Sequence, residues 1–120
     1  MSTFVMVFSY SSGSWARMLR VADDRRAAVA ALMEALHGKL EHVYWGVETA
    51  QALAIVDLPD SVSATAAIAA ATETHAFRDV KVHEVLTQDQ LRQVVDLARS
   101  VQGVYRPPGS AAIEDDLANY

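Results

Sequence analysis

The chain has 120 residues, 52% of them hydrophobic and 21% charged, a balance that fits one globular domain with a real core. A formal charge of −5 leaves no basic face for phosphate, so nucleic acid is not an expected partner. Cysteine is absent, which removes disulfides and thiolate chemistry. The segment Met1–Tyr10 lacks a basic stretch followed by a long apolar one, so a signal peptide is not expected. No apolar run approaches the ~20 residues of a membrane span. The expectation is a soluble, cytoplasmic protein.

Phe4-Val5-Met6-Val7-Phe8 is apolar at every position and opens a strand, Phe4–Tyr10. A strand apolar on both sides is covered on both sides. Helices cover one side, and a second subunit is the simplest cover for the other. Ser11–Gly13 is a turn cluster, and a short helix carrying Trp15, Met18 and Leu19 is expected from near Ser14. Asp23 or Asp24 caps a longer helix, in which Val29, Leu32, Met33 and Leu36 form one apolar stripe. Gly38 is the expected left-handed residue that ends it.

The second strand spans Leu40–Val47 and the third Ala52–Leu58, joined closely enough to pair as a hairpin. Pro59 stops the third strand. Asp60 or Ser61 then caps an alanine-rich helix, Val62–Thr74. Asp79–Leu86 reads as the fourth strand. Thr87 and Gln90 form a capping box for a last helix carrying Leu91, Val94, Val95, Ala98 and Val101. The order is βαββαβ plus a C-terminal helix, with a domain at 1–102 and a flexible acidic tail at 103–120.

Gly38, Leu40, Tyr44, Trp45, Pro59 and Asp60, set between the first strand and a V-x-V-x-x-x-L-T stretch, resemble the GYD domain family over roughly Phe4–Val95. The resemblance implies an α+β, ferredoxin-like fold that forms a dimeric α+β barrel. Proteins of that broad architecture include cofactor-free monooxygenases, polyketide cyclases, isomerases, haem enzymes and ligand-binding modules. The Gly-Tyr-Asp triplet that names the family is absent: its places, by spacing from Pro59, carry Glu48, Ala50 and Gln51. No role of that tyrosine or aspartate carries over.

Strand alternation groups His42 with Tyr44, and Lys81 with His83 and Val85. Tyr10, His42, Tyr44 and His83 are then candidates for one polar-aromatic cavity, with Gln51 and Asp57 adding from the third strand. Imidazole titrates near neutral pH and moves protons, so His42, His83 and Tyr44 are the candidate catalytic groups. Met6, Phe8, Tyr10, Trp15 and Gln51 are the candidate substrate contacts. The expected function is a cofactor-free homodimeric enzyme acting by acid–base chemistry on an apolar, oxygenated small molecule, of cyclase, isomerase or oxygenase type and suited to natural-product biosynthesis. A non-catalytic dimeric ligand-binding or regulatory module is the alternative. A haem or metal protein using His42, His83 and Glu48, with His37 or His75, is a second. No metal-binding spacing supports that second alternative, and no cofactor is assigned. Arg17, Arg20, Arg25 and Arg26 read either as an anion-holding group or as a solvated face paired with Asp23, Asp24 and Glu34.

Overall fold

The computed structural model describes residues 1–109. Its elements are β1 (Ser2–Tyr10), α1 (Ser12–Arg20), α2 (Arg25–Ala35), β2 (Lys39–Gly46), β3 (Gln51–Leu58), α3 (Ser61–Glu73), β4 (Phe77–Val85) and α4 (Gln88–Ser100). The four strands form one antiparallel sheet in the order β2-β3-β1-β4. This is the ferredoxin-like α+β arrangement expected from the sequence. The chain divides into two compact units, Met1–Val85 and a second that begins at Leu86. The acidic stretch expected to be flexible falls mostly on residues 110–120, outside the described residues.

The core lies on one side of the sheet, here called the helix side. Phe4, Met6, Phe8 and Tyr10 from β1 are buried there with Ala52, Ala54, Val56 and Leu58 from β3. Met33 of α2 and Ala64, Ala67 and Ala71 of α3 complete it. The alanines let α3 lie close to the strands, because no long side chain holds the two apart.

Two irregularities decide what reaches this core. In β2 the pairing passes from Leu40 opposite Val56 to His42 opposite Ile55, leaving Glu41 as an extra residue. Leu40 and Val43 therefore both face the helices, although strict alternation places them on opposite sides. In the β1–β4 pair, Ser9 meets Asp79 and Tyr10 meets Phe77, so Arg78 is the extra residue. That shift turns Phe77 to the helix side, where its ring lies 5.2 Å from Phe8 and 5.1 Å from Tyr10.

Helix ends follow their caps. Ser11, Asp24, Asp60 and Thr87 each accept a hydrogen bond from a backbone N–H in the first turn of the helix that follows. The capping box at Thr87 and Gln90 is complete. Asp24 and Asp60, rather than Asp23 and Ser61, are the caps. The end of α2 departs from expectation: His37, not Gly38, takes the left-handed conformation, with φ of 63°. Gly38 is needed for another reason. A Cβ there would overlap the Asp57 carbonyl oxygen and the Leu58 side chain where β2 begins beside β3.

Opposite effects are expected at these neighbours. Gly38→Ala should destabilise by at least ~2 kcal/mol, since a backbone carbonyl cannot move aside cheaply. His37→Gly should stabilise by about 1 kcal/mol by removing the cost of a left-handed side-chain residue. Urea melts of both variants check this pair. Asp60 adds a pH dependence. Hydrogen bonds from Ser63 hold its exposed carboxyl below the usual carboxylate range. Its contribution is thus present above the ordinary carboxylate pKa and lost as pH falls through the lowered native value. The stability gap between wild type and Asp60→Ala should therefore narrow on acidification across that window, in urea melts run as a pH series.

Candidate functional site

Three cavities open between the sheet and the helix layer, and Arg25 lines all three. One, of about 440 Å³, is walled by Phe8, Tyr10, Val29, Leu32, Ala71 and Phe77, among others. A second, of about 360 Å³, shares Tyr10 and Arg25 and adds Ser14, Arg17 and Asp23. The third, of about 510 Å³, runs between Trp15 and Trp45 past Asp23, Asp24 and Arg26. These volumes lie in the range of small-molecule sites. Tyr10 stands at the centre, with its ring 5.9 Å from Trp15 and 5.1 Å from Phe77.

Arg25 is held rather than free. Its Nη1 donates to Asp23 Oδ2 at 3.0 Å, and the side chain is 33% exposed. Nε is buried, and no described residue offers it an acceptor. Burial pushes the guanidinium pKa down. The Asp23 hydrogen bond and charge, followed by Tyr10, more than offset this and leave it above its ordinary value. The group stays cationic at every accessible pH.

The other side of the sheet is the open side: within the unit Met1–Val85 no helix lies on it. Register places its side chains in rows. His42 lies opposite Ile55, Ile55 opposite Val5, and Val5 opposite His83. The next row is Tyr44, Leu53, Val7 and Lys81. Tyr44 is 60% exposed and stacks on His42, with ring centroids 6.1 Å apart. The ends of this side are tied by cross-strand polar pairs. Thr3 donates to Asp57 Oδ1 at 2.7 Å, and Gln51 Nε2 donates to Ser9 Oγ at 3.0 Å.

The residues grouped from the sequence therefore fall into two sets. His42, Tyr44, His83 and Gln51 are on the open side. Met6, Phe8 and Tyr10 are on the helix side, and Trp15 packs against Tyr10 there. The expected single cavity of Tyr10 with His42, Tyr44 and His83 does not form, because Tyr10 keeps the parity of Phe4, Met6 and Phe8 in β1. His42 and His83 share a row, yet they sit on opposite edge strands, three strand spacings or ~14 Å apart. They do not reach one proton within a single subunit. Met6 is fully buried and lines none of the three cavities. Asp57, expected to add to that single cavity, accepts a hydrogen bond from Thr3. Among the described residues, no three histidine or acidic side chains come together as a metal set.

Phe77 and the singular position of Arg25 were missed. Arg25 carries a signal: it precedes Val29, Leu32 and Leu36 by four, seven and eleven residues. That puts a cation on the apolar stripe of its own helix. Phe77 carries none, since the extra residue at Arg78 is invisible to alternation.

The strand order and the one-sided helix layer define a ferredoxin-like α+β domain. The model of the GYD domain family matches residues 4–95, and the chain belongs to that family. No curated protein matches it. Among solved structures it is similar to a chain described as the chemotaxis kinase CheA P2 domain in complex with the response regulator CheY from the thermophile Thermotoga maritima. That similarity is 18% identity over 70% of this chain and 98% of the other, with a TM-score of 0.46. No helix among the described residues is long and apolar enough to cross a membrane.

The cavity has a mutational signature. Ala67 is fully buried and lines none of the cavities, whereas Ala71 lines the 440 Å³ chamber. Ala67→Leu should destabilise by ~1–3 kcal/mol through overpacking. Ala71→Leu should cost less than about 0.5 kcal/mol or stabilise, because its added carbons enter open space. Equal losses in thermal or urea melts would mean the chamber is closed in solution.

Proposed function

We propose that this protein is a homodimeric small-molecule-binding domain, using the helix side of its sheet for the ligand and the open side for a second copy. The observation that carries the ligand half is the convergence of three cavities on Arg25, beside the aromatic cluster of Tyr10, Trp15 and Phe77. Sites of this kind combine an apolar wall with a few fixed polar groups.

A second copy is the occupant that best suits the open side. Val5, Val7, Leu53 and Ile55 form a continuous apolar centre there. Around it stand Lys39, Lys81, Asp57 and Asp79, with Glu41 3.6 Å from Lys39. The face therefore carries charges of both signs on a chain of net charge −5. An isologous interface needs such self-complementarity, since each patch meets its own copy. Four strands by eight residues give a footprint of roughly 500 Å², of the order of the ~800 Å² per partner in specific interfaces. Sedimentation equilibrium should give a dimer. Leu53→Glu, placing a charge at the centre, should yield a folded monomer. A monomeric wild type would remove the dimer half of the proposal.

Acid–base catalysis is the second reading, favoured by the stacked His42–Tyr44 pair, in which His42 shares its row with His83. A facing copy would enclose these groups, and each histidine would act alone or with groups of the partner. Deuterium wash-in at the α-carbon of 2-tetralone, followed by NMR, provides the probe. Catalysed exchange that falls ~100-fold or more in His42→Ala or His83→Ala supports catalysis. Absence of exchange above buffer with wild type leaves the binding reading.

A further inference from the structure

We infer that the helix-side chamber takes an apolar monocarboxylate, with its carboxylate on the Nε–Nη2 edge of Arg25 and its body against Phe8, Tyr10 and Phe77. This rests on the reading of that chamber as the ligand site and adds the chemical class of the ligand.

Geometry at Arg25 supplies the first argument. A guanidinium gives a carboxylate two parallel hydrogen bonds from one edge. Asp23 occupies Nη1 and the Tyr10 hydroxyl also acts on the guanidinium, yet the Nε–Nη2 edge keeps a donor for another acceptor. On that edge Nε is buried with no acceptor among the described residues. A buried N–H without a partner is unfavourable, and an arriving oxygen relieves it.

The chamber wall supplies the second. Arg25 is its one charged lining residue among those described; the remainder is aromatic, aliphatic and alanine, apart from the Thr74 and Tyr10 hydroxyls. A neutral ligand filling this space would strip water from the guanidinium edge that Asp23 leaves unpaired and give nothing back. A carboxylate supplies acceptors to that edge where the body desolvates it. A dianion such as a phosphate ester is disfavoured, because its second charge would meet Asp23 with no second cation in the chamber. Arg17 and Arg26 line the adjoining cavities instead. The chamber's 440 Å³ accommodates a bicyclic aromatic or medium-chain acid.

The test compares 2-naphthoate with 2-naphthalenemethanol, which has a similar body and no charge, by isothermal calorimetry at neutral pH. Wild type should bind the acid about 10- to 100-fold more tightly than the alcohol, the worth of a charge-assisted pair. Arg25→Gln should bind both alike, with circular dichroism unchanged. Arg25→Lys should retain part of the preference, because it keeps the charge and loses the fork. Asp23→Asn, which removes the competing charge while keeping an amide oxygen that can accept from Nη1, should tighten the acid and leave the alcohol unmoved. Equal affinity of wild type for both probes overturns the carboxylate inference and leaves the binding chamber standing. Acid preference that persists in Arg25→Gln overturns it as well. No binding of either probe overturns the chamber and the inference together.

Discussion

β1 is paired on both edges, to β3 and to β4, and is apolar on both faces. Every other part of the unit Met1–Val85 is arranged around that condition. Its even positions need a cover of helices, which α1, α2 and α3 supply from one side. Its odd positions, Val5 and Val7, continue into Leu53 and Ile55 of β3 and need a different cover. A sheet with two apolar faces and helices on one leaves the second face to an interaction outside the unit. The open-side half of the proposal starts from this strand.

The helix side is shaped by what does not fill it. Alanines on α3 let the helix sit low over β4, while Phe8, Tyr10 and Phe77 are too rigid to spread into the space beside them. The chamber lies between small residues on one wall and aromatic ones on the other. Arg25 enters at the first turn of α2, at a position where the apolar stripe would ordinarily carry another aliphatic side chain. Asp23 tethers one of its nitrogens, Nη1.

Much of the fold was legible in the sequence. The unbroken apolar run in β1, the caps narrowed to Asp23 or Asp24 and to Asp60 or Ser61, the capping box at Thr87, the short β2–β3 connection and the family resemblance place the elements and their order. The two extra residues, Glu41 and Arg78, were not legible, because alternation assumes a regular ladder and a bulge shifts every later side chain. They send Leu40 and Phe77 to the helix side. The grouping of Tyr10 with the histidines failed for a different reason. It matched residues by chemical character across strands, when parity within β1 ties Tyr10 to Phe8. Gly38 was expected to take the left-handed turn that ends α2; His37 bears that turn instead, and close contact with β3 is what requires a glycine at 38.

The separation of roles between the two sides is the central claim, and an NMR titration of the isotope-labelled protein with 2-naphthoate tests it most directly. If the ligand uses the helix side, backbone amide shifts will concentrate at Phe8, Tyr10, Arg25, Val29, Leu32 and Phe77, and His42, Tyr44 and His83 will stay in place. Shifts centred on His42, Tyr44, Leu53 and His83, with Arg25 and Phe77 unmoved, would contradict it and move the ligand to the open side.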